Sequence, residues 1–309
     1  MTKNTNIEAV YPLSPMQQGM LFHSLRDPQS GQYFIQVSCA LNGQINAEAF
    51  EQAWQQVVAR HSILRTAFVW KGLDRMLQVV GRTVKVPFIT EDWQHLGEQA
   101  QQQRLSALLD EDRRRGFELS RAPLMRLALI GLGQSRYQFL WSYHHLILDG
   151  WSMPIVFRDI VACYNALTRG ESLNLPPAPP YREYIDWLQR QNLADAERFW
   201  REYLRGFDAA TRLPSDSTSS ADAAGRPDDY AEARIRLSAG ATQSLQSLAR
   251  QRHVTLNTIA QGAWAILLHS YAGCDDVVFG STVACRPAEL ANAQAIVGLF
   301  INTLPVRVR

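Results

Sequence analysis

The stretch APLMRLALIGLGQSRYQFLWSYHH, residues 122–145, constrains the fold of this chain more than any other. A turn rich in Gly, Gln and Ser divides it into two apolar runs, the pattern of a β-hairpin. Alternation along the second run puts Tyr137, Phe139, Trp141 and Tyr143 on one face and Arg136, Gln138, Leu140 and Ser142 on the other. If the strand continues, His145 joins the aromatic face and His144 the opposite one. Asp149-Gly150 then reads as a turn, and Ser152 as the cap of a helix that tolerates Pro154 in its first turn. Val156, Ile160, Tyr164 and Leu167 form its inner stripe, and Gly170 ends it. The two histidines therefore sit where a core strand gives way to a turn, a place where side chains are both held and reachable.

Helices alternate with strands elsewhere too. Asn46 is a good N-cap for AEAFEQAWQQVVARH, whose apolar residues Phe50, Ala53, Trp54, Val57 and Val58 share one helix face. A second helix, about 98 to 115, ends in DEDRRRG, where three arginines suit the negative helix end and Gly116 allows a left-handed stop. That run reads as a solvated helix end. Four prolines between 176 and 180 make a stiff connector, which sets a boundary between lobes at 1–175 and 176–309. Residues 214–229, PSDSTSSADAAGRPDD, lack large apolar side chains and read as a mobile loop. After it come strand YAEARIRLS, helices ATQSLQSLARQRH and TLNTIAQGAWAILLHSYAG, and buried strand DVVFGSTVA. Both lobes mix helix and strand, so the fold class is mixed α/β.

Composition narrows the function. The 309 residues are 46% hydrophobic, enough for a large core, and 31 basic against 29 acidic residues leave a net charge of +2. Such a balance gives no footprint for nucleic acid or an anionic membrane. No apolar run reaches the roughly 18 residues of a membrane span, and the N-terminus lacks a signal-peptide core, so the expected location is cytoplasmic. Cys39, Cys163, Cys274 and Cys285 show no CxxC spacing, which favours reduced, mostly buried thiols over a metal site.

On spacing alone the HxxxD of this motif is weak, because Asp-Gly makes a turn anyway and a core histidine often only satisfies a backbone group. The whole HHLILDG, however, resembles the HHxxxDG signature of condensation domains of nonribosomal peptide synthetases, relatives of chloramphenicol acetyltransferase. Four further stretches are similar to that family's motifs in order: LSPMQQGMLFHSL at 13–25, RHSILRTAF at 60–68, YREYIDW at 181–187 and VGLFINTLPVR at 297–307. Ser62 and Cys285 depart from the family pattern, which often has Glu and Gly there. The resemblance implies two acetyltransferase-like lobes in a V around a central tunnel. It also places the family's last third beyond Arg309, so the second lobe is expected to be incomplete and the piece inactive alone.

The implied activity is amide bond formation between donor and acceptor thioesters. Donor and acceptor peptidyl carrier proteins would present them on 4'-phosphopantetheine arms, beside adenylation domains and an upstream epimerisation domain. No cofactor is expected on this chain itself. Met16, Gln17, Gln18 and Gly19 stand where members taking L donors tend to show an alanine-glutamine-arginine run, so the implied preference is a D-configured donor joined to an L acceptor. The implied catalytic set is His144, His145, Asp149 and Gly150. His145 would take the proton of the attacking amine, and His144 would anchor the loop by hydrogen bonding. Asp149 would form a salt bridge with Arg60 or Arg65, and Gly150 would let backbone approach the substrate. Trp151 is a candidate for the tunnel wall, with packing as its blander role, and Asn302 for the tunnel wall as well. Rival readings are an epimerisation domain, an acyltransferase using coenzyme A, and an inactive domain that recruits partners. GWSMP after the motif fits condensation better than the Val-Ser-Trp type run of epimerases.

Overall fold

The structure, a computed structural model, describes residues 6–28, 30–208, 210–213 and 233–309. The loop expected over 214–229 lies outside the described residues. Two compact units divide the chain, residues 1–191 with 284–302 and residues 192–283 with 303–309.

The first unit is built on a four-stranded sheet of order β2 (Phe34–Asn42), β7 (Arg136–His144), β6 (Met125–Gly133), β5 (Phe88–Asp92). Only the β5–β6 pair is parallel. The expected hairpin is β6–β7, turning through Gln134 and Ser135, both at positive φ. The aromatic face of β7 packs on α2 (Ala47–Arg60) and α4 (Ser152–Arg169). Trp54 lies 5.6 Å from Phe139 and 5.0 Å from Trp141, and Phe157 meets Trp141 edge-on at 5.5 Å. On the opposite face Leu140, Ala128 and Ile130 pack with Trp93 and the leucines of α3 (Glu98–Arg115). The result is helix, sheet and helix in three layers, with the sheet buried on both sides. A second sheet, all antiparallel, runs β1 (Ile7–Pro12), β4 (Leu77–Gly81), β3 (Thr66–Val69).

Local signals explain these elements. Asn46 Oδ1 caps α2 by accepting from Ala49 N at 3.0 Å, and Ala53, Trp54, Val57 and Val58 are buried as their spacing requires, with Phe50 half-buried. Gly170 closes α4 in the left-handed region. α1 (Pro15–Arg26) opens on a capping box in which Ser14 Oγ accepts from Gln17 N and Gln17 Oε1 accepts from Ser14 N.

The proline connector is not the boundary between units. α5 (Arg182–Gln189), which follows it, sinks Tyr184 and Ile185, together with the preceding Tyr181, into the first unit's core, and the boundary falls after Gln191. A stiff linker marks a change of direction, and burial of the aromatic residues beyond it decides which core they join. The second unit holds α6 (Leu193–Tyr203), α7 (Ala239–Gln251) and α8 (Leu256–Ala272) with the two-stranded sheet β8 (Val277–Ala284) and β9 (Ile301–Val308). Its buried cluster is Ala265, Leu268 and Val277. Two expectations change here: residues 233–238 form no strand, and β8 buries only Val277. The nearly all-apolar α8 buries only Ala265 and Leu268. Of the four free cysteines only Cys163 is buried, the others being half-buried.

Candidate active site

β7 stops at His144, which pairs with Phe34 across the sheet. One further rung follows, His145 N donating to Tyr33 O at 2.8 Å. Tyr33 holds φ +63°, so the partner strand turns away there, and a bulky residue in the left-handed region stores strain beside the motif.

The two histidines differ in what their rings do. His144 is buried, and its Nδ1 accepts from Leu146 N at 3.2 Å. That bond places the proton on Nε2, which faces Ser24 Oγ at 3.3 Å, and Ser24 in turn donates to Met20 O at 2.8 Å. Burial, reinforced by His145, presses the His144 pKa down to about 3, so the ring is neutral at any working pH. His145 is half-buried, and its Nδ1 makes no hydrogen bond among the described residues.

Asp149 is entirely consumed by the fold. Its Oδ1 accepts from Ser152 N at 2.9 Å and lies 2.8 Å from Ser152 Oγ, and its Oδ2 accepts from Phe300 N at 2.9 Å. Asp149, and not Ser152, thus caps the first turn of α4. The arginine opposite it is Arg286, 3.6 Å away and as deeply buried. Arg286 also donates to Ala293 O, to Ile296 O at 2.8 Å and to Ser152 Oγ at 3.2 Å, and lies over the Phe300 ring at 4.2 Å. The expected partners are elsewhere. Arg60 donates to Asp159 at 2.9 Å, and Arg65 to Glu8 at 2.7 Å and to the carbonyl of Gly81. Both belong to the end of α2 and the turn after it, and their reach is spent on the nearest carboxylates.

Gly150 is exposed at an ordinary φ, with nothing within 4 Å of the place a Cβ would take, so the fold itself does not demand glycine there. Trp151 is 60% exposed and does not pack, which corrects the blander expectation for it. Asn302 stands half-buried in β9, two residues past Phe300, and is itself engaged.

The motifs converge around this loop. Tyr181 donates to Leu299 O at 2.7 Å, and a Cβ on Gly298 would run into its ring, so only glycine fits beneath it. Tyr184 meets Phe300 at 4.2 Å. From the first motif, Gln17 donates to Gln78 Oε1 at 3.1 Å and to Leu146 O at 3.0 Å. Sequence reading passed over Arg286, Ser24 and Tyr33 and used Gln17 only as a specificity marker. The S-x-x-Q spacing announced the cap at Gln17, whereas no local pattern announces Arg286. Among the described residues no group of three or more His, Cys, Asp or Glu could hold a metal, and no helix is long and apolar enough to cross a membrane.

The model of the family described as Condensation domain matches residues 7–309. The chain belongs to the condensation-domain family. A linear gramicidin synthase polypeptide of Brevibacillus parabrevis is 50% identical over 99% of this chain, and bacitracin synthase 1 of Bacillus licheniformis is 36% identical over 98%. This condensation domain spans 6% of the length of each of those polypeptides. Among solved structures it is similar to the first condensation domain of the calcium-dependent antibiotic synthetase in complex with a substrate analogue, at TM-score 0.75 and 20% identity, covering 98% of this chain and 71% of that one. The mixed α/β condensation-domain fold expected from HHxxxDG is therefore the observed one.

Proposed function

We propose that this condensation domain forms the amide bond between a donor peptidyl or aminoacyl thioester and the amine of an acceptor aminoacyl thioester, both carried on phosphopantetheine arms of carrier proteins, with His145 handling the proton. One observation carries the reading. Of the ionisable groups of HHLILDG, His144 and Asp149 are committed to the fold, whereas the His145 ring makes no hydrogen bond among the described residues; its Nδ1 is buried, so Nε2 is the nitrogen left to meet the amine.

The chemistry follows from ordinary pKa values. An α-amino group titrates near about 7.7–8.0, so an appreciable share of acceptor is uncharged before it meets the site and needs no base to attack. Attack on the donor carbonyl carbon makes the C–N bond and leaves a cationic nitrogen beside an oxyanion. A neutral imidazole at His145 takes the nitrogen's proton, collapse of the intermediate breaks the C–S bond, and the proton passes to the departing sulfur. The products are an amide and a free carrier thiol. General base catalysis of this kind contributes on the order of 10²–10⁴-fold. Gly150, with open space beside it, suits close approach of an arm to the motif, and exposed Trp151 offers it an aromatic surface.

A D-configured donor and an L acceptor are the preferred pair in this reading. Gln17 carries none of that preference, since it is buried in the fold, so the discriminating positions of the first motif are Met16, Gln18 and Gly19. Apolar mismatch at an inverted α-carbon is worth roughly 1–3 kcal/mol.

The test is His145→Ala in the parent polypeptide with both carriers loaded. Dipeptide formation is expected to fall by at least two orders of magnitude with the melting temperature unchanged. Turnover near wild type would remove His145 from the proton transfer and leave the rate to the positioning of the two thioesters. Single-turnover rates with each epimer of one donor decide the stereochemical part, and equal rates would remove it.

A further inference from the structure

His145 lacks the carboxylate that orients a general base in a Ser-His-Asp constellation, since Asp149 faces Ser152, Arg286 and Phe300 instead. Something else must aim its ring. The backbone around it is fixed at three successive residues. At 144 the side chain is held by Ser24 Oγ, and its Nδ1 reaches over His145 to the amide of Leu146. At 145 the amide is held by Tyr33 O, and at 146 the carbonyl is held by Gln17 Nε2. Ser24 and Gln17 are seven positions apart, two turns along one face of α1.

We propose that α1 is the mount that aims the reactive imidazole, with Ser24 and Gln17 as positioning residues that brace the peptide segment on either side of His145. The inference rests on the assignment of His145 as the proton acceptor and deepens it. Ser24 acts through His144. Its hydroxyl is the acceptor that keeps the proton on Nε2, which leaves Nδ1 free to receive Leu146 N. Without that acceptor the ring has a buried N–H and nowhere to direct it, so the tautomer and ring position that brace residue 146 are no longer selected. His145 then samples orientations other than the productive one, and small misplacements of a reacting group cost rate steeply.

Ser24 is half-buried and its loss removes no packed side chain, so it makes the discriminating variant. Ser24→Ala, Ser24→Thr and His145→Ala are each placed in the parent polypeptide, and single-turnover dipeptide formation is followed against acceptor-carrier concentration. Ser24→Ala is expected to slow the maximal rate by about tenfold to a hundredfold, with the half-saturating carrier concentration and the melting temperature unchanged. Ser24→Thr keeps the hydroxyl and is expected to restore most of the rate. A wild-type rate in Ser24→Ala overturns the proposal, as does an equal loss in Ser24→Ala and Ser24→Thr, or a loss that appears only in the half-saturating concentration. A wild-type rate in His145→Ala removes the assignment of the base itself, and the mount with it, so the two failures are told apart within one experiment.

Discussion

Asp149 and Asp159 are buried carboxylates ten positions apart, one just ahead of α4 and one within it, and they find their cations by different routes. Asp159 takes two partners from the end of α2, Arg60 and His61, 99 and 98 positions earlier and each at 2.9 Å, and adds its own neighbour Arg158 at 3.0 Å. Asp149 takes Arg286, which reaches it from the far end of the sequence along with the amide of Phe300. A carboxylate inside a recognisable motif is thus not served by the arginines of the next recognisable motif. Each charge is answered by whatever the packing brings nearest, since an unpaired buried charge costs more than any local preference returns.

The difference is sharpest if Arg286 is removed. Arg286→Met leaves Asp149 with hydrogen-bond donors but no counter-charge and frees the carbonyls of Ala293 and Ile296, so a loss of about 3–5 kcal/mol is expected in denaturant unfolding of the domain. A loss under about 1 kcal/mol would mean that the Ser152 and Phe300 amides alone satisfy the carboxylate. A double-mutant cycle with Asp149→Asn should show coupling of about 1 kcal/mol or more, which assigns the cost to the pair.

Asp159 provides the pH signature. Burial by itself would raise its pKa, but hydrogen bonds from His61, Arg158 and Arg60 outweigh that and bring it from 3.8 down to about 2. A carboxyl depressed in the folded state stabilises above its unfolded pKa and loses that contribution as pH falls through the folded value. The window is therefore about pH 4 down to pH 2, over which roughly 2 kcal/mol should disappear. Melting temperature against pH, compared with Asp159→Asn, checks it, and parallel acid limbs would count against this role. Arg60→Ala should cost less, about 1 kcal/mol, because Asp159 keeps two of its three partners. A loss as large as that of Arg286→Met would erase the contrast between the two sites.

Legibility in the sequence follows the same division. α2 and α4 were readable because each needs one buried face, and a single face fixes which residues turn inward: Ala53, Trp54 and Val57 in one, Val156 and Ile160 in the other. The strand, the turn and the order of the motifs were readable for the same local reason. α8 was not, because a helix apolar on nearly every side names no face, and burial of Ala265 and Leu268 alone could not be foreseen. Nor could Arg286 be matched to Asp149, since pairing across the chain is decided by how the 284–302 segment returns to the first unit. Tyr33 gives no signal either, because a tyrosine at positive φ contradicts its own propensity and shows only in the fold.

The smallest effect on stability belongs to the residue next to Asp149. Gly150 has neither a left-handed φ nor a neighbour within 4 Å of where a Cβ would stand, so Gly150→Ala asks nothing new of the folded state. It also removes freedom from the unfolded chain, and the expected change is between zero and a gain of about 0.4–1 kcal/mol. If the glycine were there for the turn, the domain would melt lower. If it is there so that a thioester can pass close to His145, the domain melts unchanged or slightly higher while peptide formation slows, with the acceptor concentration for half-saturation rising. A methyl group that leaves both melting and turnover untouched would show that access past residue 150 does not limit the reaction, and the contrast with Asp149, whose every oxygen is spent on the fold, would then stop one residue short of the reacting groups.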